Sequence, residues 1–279
     1  MKTLIAGAGG QLGTALTTIL GDRCLPLDRA ALDITNRAQI GAAITAHRPD
    51  LVINAAAYNF VDKAESEPAA AFAVNETGPR LLAEATAAAG IPFVHVSTDY
   101  VFDGRLGRPY KEEDATNPLS QYGKSKLAGE VAARGANPKT YIVRTAWVYH
   151  DTGRNFFRLM LGLSEKGKVR VVSDQRSSPT YAPHLAEAIL KMAASGAYGT
   201  YHLAGSGTGA SRFEQLAEFY RLIGQASEVE PVSMSAFPQP APRPQYTVLE
   251  TGRTPRFVLP HWRDGVAEFA RVFIRNGRK

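Results

Sequence analysis

Tyr122 and Lys126 bracket the segment Tyr122-Gly123-Lys124-Ser125-Lys126, a spacing that puts both side chains on one helix face about one turn apart. A neutral phenol, with an ordinary pKa near ~10, is a poor acid at pH 7. An adjacent ammonium favours the phenolate and makes the tyrosine a usable proton donor and acceptor. The same spacing also occurs on solvated helix faces, so the pair gains meaning only from its surroundings. A second reactive stretch is Val96-Ser97-Thr98-Asp99-Tyr100-Val101-Phe102, where hydroxyl and acid groups end an apolar run. Thr98 is expected to hydrogen-bond a substrate oxygen beside Tyr122; the competing role is a turn or cap group.

Near the N-terminus, Gly7-Ala8-Gly9-Gly10-Gln11-Leu12-Gly13 directly follows the apolar run Thr3 to Ala6 and opens a helical pattern. Glycines there allow a tight turn, close approach of backbone to a pyrophosphate, and close packing of helix on strand. The helix N-terminus then offers free N–H groups and a positive dipole to phosphate. Asp28 follows at roughly the ~20-residue offset of an acid that grips the adenosine ribose. Turn formation is its simpler role. Arg29 beside it could hold a 2′-phosphate, so NADH and NADPH both remain open. Asp33 and Ile34 could flank the adenine, although Asp33 could equally cap a helix. Asn54-Ala55-Ala56-Ala57-Tyr58 supplies small residues that let a dinucleotide lie flat at a sheet edge, or a helix pack closely.

The elements that must position these residues alternate along the first half. Strands are expected over 3–6, 23–27, 51–54, 92–97 and 140–144, with helices over 12–20, from a cap at Asn36 to His47, over 65–89, and from 118–121 through Tyr122 and Lys126. This order gives right-handed βαβ units, hence an α/β fold with a Rossmann-type doubly wound parallel sheet. Beyond Ala146 the pattern loosens. Helices are expected over 155–165, 183–194 and 213–224, and strands over 168–172 and 198–203. Residues 237–244, rich in proline, cannot be helical and are read as an ordered loop. The expected plan is a dinucleotide-binding domain over 1–150, to which later segments return, and a smaller C-terminal α/β substrate-binding lobe drawn mainly from 151–279.

Bulk properties narrow the possibilities. The chain has 279 residues and a net charge of +6, to which Arg271, Arg275, Arg278 and Lys279 contribute. Basic residues are scattered and no nucleic-acid module is recognised, so a phosphorylated small molecule is the expected partner rather than nucleic acid. Cys24 is the single cysteine, which excludes an intramolecular disulfide and a cysteine-based zinc site. No secretory signal is recognised and no apolar stretch approaches the ~20 residues of a membrane span, so a cytoplasmic protein without membrane contact is expected.

The glycine loop, Asn-Ala-Ala-Ala, Ser-Thr-Asp-Tyr-Val-Phe and Tyr-Gly-Lys-x-Lys together resemble the extended short-chain dehydrogenase/reductases. Arg144-Thr145-Ala146-Trp147-Val148-Tyr149, Asp174-Gln175 with Pro179-Thr180, Arg243-Pro244 and Val61-Asp62-Lys63-Ala64-Glu65 narrow the resemblance to the dTDP-4-dehydrorhamnose reductase family. It spans nearly the whole chain and is densest up to Thr180.

The resemblance implies NADPH- or NADH-dependent reduction of the C4 ketone of a dTDP-linked 6-deoxysugar. Gly7, Gly10, Gln11, Leu12 and Gly13 would hold the pyrophosphate, with Asp28, Asp33 and Ile34 near the adenosine. Ala57, Tyr58 and Val96 would line the cofactor groove, which Tyr122 and Lys126 would also contact. Thr98, Tyr122 and Lys126 would be the catalytic trio. Asp99, Tyr100 and Trp147 would face the deoxysugar beside Thr98 and Tyr122, and Arg243 is the candidate for the nucleotide diphosphate.

Departures from the family pattern accompany these matches. Ala15 stands where metal-bridged dimers of the family carry glutamate, so no metal is expected and the chain is read as a monomer or homodimer. Ser177 replaces a frequent glycine, and Arg212 stands where tryptophan commonly follows the serine. The rival readings are another sugar-nucleotide reductase or epimerase of the superfamily, or a non-catalytic dinucleotide-binding regulatory subunit.

Overall fold

The computed structural model describes residues 1–165 and 167–277. Arg278 and Lys279 of the basic C-terminal end lie outside the described residues. Five short strands, β1 (Thr3–Ala6), β2 (Cys24–Leu27), β3 (Leu51–Asn54), β4 (Phe93–Thr98) and β5 (Thr140–Thr145), pair in parallel in the order β2-β1-β3-β4-β5. A further strand, Gly199–His202, pairs in parallel outside β5. β1, β3 and β5 are buried throughout, which is why they read as apolar runs rather than as alternation. The strand order turns back between β1 and β3, and at such a switch point a crevice opens at the carboxyl ends of the strands.

Helix α1 (Gln11–Leu20) covers one face of the sheet with the helix Ala182–Ala193: Leu12, Leu16 and Leu20 pack with Leu185, Ile189 and Met192. α2 (Arg37–His47), capped by the Asn36 side chain as expected, covers the other face with Gly78–Ala88 through Ile40, Leu81 and Leu82. The sheet therefore takes a strand and a covering helix from the second half of the chain.

One expected helix is not continuous. The stretch 65–89 divides into Lys63–Ser66, Pro68–Phe72, a π-turn over Ala73–Thr77, and Gly78–Ala88. Pro68 cannot continue the preceding turn because it has no N–H to donate. The widened turn carries Asn75, whose buried amide is tied to the Tyr58 backbone and to Ser125.

The remaining elements form a smaller lobe. Helices Phe156–Ser164, Arg212–Ile223 and Trp262–Arg275 enclose Phe157, Phe219, Phe269 and Phe273, beside the parallel pair Val169–Val172 and Val229–Val232. Trp262–Arg275 was not anticipated, although its buried Trp262, Val266, Phe269, Ala270 and Phe273 follow helical spacing. The proline-rich loop is tied down at Ala241 and at Pro244. Ala241 N–H donates to Asp62 at 3.2 Å, and the Gln175 amide donates to the Pro244 carbonyl at 3.1 Å.

Candidate active site

A cleft of about 430 Å³ runs along the carboxyl ends of β1, β3, β4 and β5, walled by Gly10, Gln11, Leu12, Ala55, Ala57, Val96, Thr98, Tyr122, Lys126 and Trp147 among others. At one end lies the glycine loop. Gly7 has a φ of +82°, and a side chain there would meet Ala56 N at 2.6 Å. Gly13 packs so closely on the Gly7 carbonyl that any Cβ would overlap it. Gly7 and Gly13 therefore shape the loop, while Gly10, Gln11 and Leu12 face the cleft. Gly10 caps α1 without a side-chain hydrogen bond, so the first N–H groups of the helix are left to an anion.

Past β3 the chain is extended, and residues 55, 57 and 59 alternate onto the cleft wall. Tyr58, expected in the cofactor groove, is turned away: its hydroxyl donates to Glu67 at 3.0 Å and its ring packs edge-on to Phe60. Asn59 takes the place on the wall. Ile34, expected beside the adenosine, is a core residue packed on Gly78, which leaves only its backbone for such a contact. Asp33 and Asp28 both close turns. Asp33 accepts from the Thr35 N–H and hydroxyl, bonds that hold its carboxyl below the usual range. Asp28 accepts from Ala30 and Ala31 N–H at 2.9 Å each, close by Gly9.

The helix Gln121–Ala136 brings in the reactive pair. Ser120 caps it by accepting from Gly123 N–H at 3.1 Å. Gly123 lies against the Tyr100 carbonyl too closely for any Cβ, so the helix can press onto the end of β4. Tyr122 thereby sits edge-on to Tyr100, with its hydroxyl 3.5 Å from Asn59 Oδ1. Lys126 Nζ donates to the Val96 carbonyl at 2.7 Å. Burial pushes the Lys126 ammonium down to about 8, against the opposing pull of Glu130. Burial pushes the Tyr122 phenol well above its ordinary value, with Thr98 drawing it partly back.

The expected lowering of the phenol by Lys126 is thus not what this geometry produces. Helical spacing puts the two on one face, but the ammonium is anchored on β4 and desolvation dominates both groups. Behind Lys126, the buried Glu130 accepts from Ser97 at 2.6 Å and pairs with Arg144 at 2.8 Å.

Asp99, expected to face the sugar, is buried beneath the cleft. Its carboxylate accepts from Thr98 at 3.0 Å, Ser177 at 2.8 Å and Thr247 at 2.5 Å, while burial holds its pKa above the usual value. It fixes the Thr98 side chain instead. Ser177, the departure from a frequent glycine, is part of this cage.

Trp147 and Arg212 wall both this cleft and a second one of about 690 Å³, which also includes Tyr100, Phe156, Met160, Val171, Gln175, Phe237 and Arg243. Arg243 sits there with its two terminal guanidinium nitrogens, Nη1 and Nη2, each 2.9 Å from an Asp62 carboxylate oxygen. Asn59, Asn75 and Thr247 carry no motif signal of their own, and only the alternation after Asn54 could have pointed to Asn59; Gln175 and Arg212 fall in segments the family resemblance uses, but no role at the cleft was assigned to them.

A family model described as the RmlD substrate binding domain matches residues 1–274. The chain belongs to this family. A dTDP-4-dehydrorhamnose reductase of Mycobacterium tuberculosis is 45% identical over 95% of this chain and 91% of its own length. A dTDP-4-dehydrorhamnose reductase of Clostridium acetobutylicum superposes with a TM-score of 0.94 at 39% identity, covering 98% of this chain and all of that one (100%). The Bacillus anthracis dTDP-4-dehydrorhamnose reductase, solved in complex with NADP, superposes with a TM-score of 0.93 at 36% identity, covering 99% of this chain and 100% of its own. In this member of the RmlD family no helix among the described residues is long and apolar enough to cross a membrane.

Proposed function

We propose that this chain reduces the C4 ketone of dTDP-4-dehydro-L-rhamnose to dTDP-L-rhamnose, using NADPH or NADH, as an oxidoreductase of dTDP-rhamnose synthesis. The observation that carries the reading is one cleft holding a glycine-rich helix N-terminus at one end and Thr98, Tyr122 and Lys126 at the other. The named relatives and the NADP complex of one of them support the same activity.

The residues present fit a dinucleotide. The uncapped N–H groups at Gln11 and Leu12 suit a pyrophosphate, and Ala55 and Ala57 leave room for a flat ring system against the sheet edge. The nicotinamide supplies the hydride when it is bound. Tyr122 donates the proton to the developing alkoxide, and Thr98, steadied by Asp99, orients the carbonyl oxygen. Lys126, held by Val96, supplies positive charge beside that proton transfer and can reach ribose hydroxyls. The smaller lobe contributes the second cleft, which takes the nucleotide sugar and holds its carbonyl over the reacting face. Such a reaction on water-soluble substrates belongs in the cytoplasm and needs neither nucleic acid nor membrane; a monomer or homodimer suffices.

The deciding experiment supplies purified chain with dTDP-4-dehydro-6-deoxyhexose, the matching epimerase, and NADPH or NADH in turn. Stoichiometric cofactor consumption with a rhamnose-configured product is expected. Cofactor binding without consumption of either reductant would establish the non-catalytic reading instead.

A further inference from the structure

The geometry points to Arg212 as the residue that grips the diphosphate of the nucleotide sugar, at the point where the two clefts meet. This rests on the reading that a sugar nucleotide occupies them. Arg212 opens the helix Arg212–Ile223, and its guanidinium lies 3.7 Å above the Trp147 ring centre and 4.8 Å from that of Phe156. One nitrogen donates to Gln215 Oε1 at 3.1 Å, and Gln215 is itself fully buried. The plane of the fork is therefore set by two aromatic rings and an amide.

Its charge is not matched locally. Among the described residues Arg212 makes no ion pair. Asp99 acts on it electrostatically, but the Asp99 carboxylate is already taken by Thr98, Ser177 and Thr247. Arg243, the other arginine partly buried in the second cleft, is neutralised by its bidentate ion pair with Asp62. A half-buried arginine without a carboxylate is unfavourable unless a ligand anion completes it, and a planar fork suits phosphate oxygens.

The order of groups in the substrate leads to the same residue. The reacting sugar must lie at Thr98 and Tyr122, in the first cleft. A nucleoside needs the larger second cleft, with Phe156, Met160, Val171 and Phe237 on its wall. The diphosphate joins sugar to nucleoside, so it falls at the junction, whose shared wall is Trp147 and Arg212. Trp147 holds a φ of +46°, a conformation non-glycine residues adopt only when their surroundings impose it, and the Arg212 stack is one such constraint.

The test titrates the full chain, as wild type, Arg212→Met and Arg212→Lys, with dTDP, thymidine and NADP⁺, alongside steady-state turnover of the keto sugar. For Arg212→Met, dTDP binding weakens about tenfold or more while thymidine and NADP⁺ change by no more than about twofold. Arg212→Lys recovers part of the dTDP affinity. An equal loss for dTDP and thymidine would mean that Arg212 only shapes the cleft, and overturns the inference. So would a loss confined to NADP⁺, which would assign the grip to the dinucleotide, or unchanged dTDP binding. Wild type that binds dTDP through Arg212 but reduces no keto sugar would refute the reductase reading and leave the grip standing. Full turnover with an unchanged KM in Arg212→Met would do the reverse.

Discussion

Tyr122 and Lys126 are adjacent on one helix face, yet each is governed by burial more than by the other. Tyr122 is the proton donor of the proposed reaction, so Tyr122→Phe removes the proton without disturbing the glycine loop. Turnover should fall by about 10² or more with NADP⁺ affinity nearly unchanged; a variant retaining most of its turnover would remove Tyr122 from that role. Lys126 titrates at about 8, so it is charged below that pH and neutral above it. If its charge supports proton transfer, kcat falls as pH rises through about 8. A kcat that is level to pH 10, measured with saturating substrate, would show that the charge is not used. At this scale Thr98, Tyr122 and Lys126 could be singled out in the sequence by identity and short spacing, and the structure brings all three to one cleft. The orientations of Tyr58, Ile34 and Asp99 were not legible in the sequence, because each is set by partners distant along the chain: Tyr58 turns to Glu67, Ile34 packs on Gly78, and Asp99 collects hydroxyls from Ser177 and Thr247.

The π-turn at Ala73–Thr77 is the element that links the cleft wall to the helix bearing Tyr122 and Lys126. Asn75 accepts from Tyr58 N–H at 2.8 Å, donates to the Tyr58 carbonyl at 3.1 Å, and donates to Ser125 Oγ at 3.0 Å. Asn75→Ala leaves buried backbone groups unpaired and should destabilise the fold by about 1–3 kcal/mol, read as a lower denaturation midpoint. Because the segment 55–59 is then released, KM for the cofactor should rise as well. Loss of stability with an unchanged cofactor KM would separate the turn from the cleft. Gly123 is the complementary contact on the helix itself. Gly123→Ala forces the helix off the Tyr100 carbonyl and should reduce kcat about tenfold or more, checked by turnover at saturating substrate. The first five strands and α1 were legible because apolar runs and glycine turns are local signals. The interrupted 65–89 helix was hidden by its alanine content, since helix propensity there is overridden by Pro68 and by the buried Asn75.

Across the whole molecule, the two halves of the chain are interleaved. The strand Gly199–His202 completes the sheet, Ala182–Ala193 covers α1, the Gln11 amide donates to the Arg154 carbonyl at 3.0 Å, and Arg243 clamps Asp62. A chain ending at residue 150 would expose Leu12, Leu16 and Leu20 together with the edge of β5. It should therefore lack a cooperative thermal transition, whereas the full chain should show one. Cooperative unfolding of the fragment would make 1–150 an independent domain.

By itself the sequence determined the alternating α/β plan, the dinucleotide-type glycine loop and the family to which the chain belongs. Each of these depends on residue type and local periodicity, which the chain carries wherever it folds. Tertiary structure alone decided which groups meet. Lys126 anchors on Val96 rather than on the phenol, Asp99 steadies Thr98 from beneath, and Arg243 is neutralised while Arg212 is not. Burial and charge compensation arise between segments far apart in sequence, and no spacing within a motif encodes them.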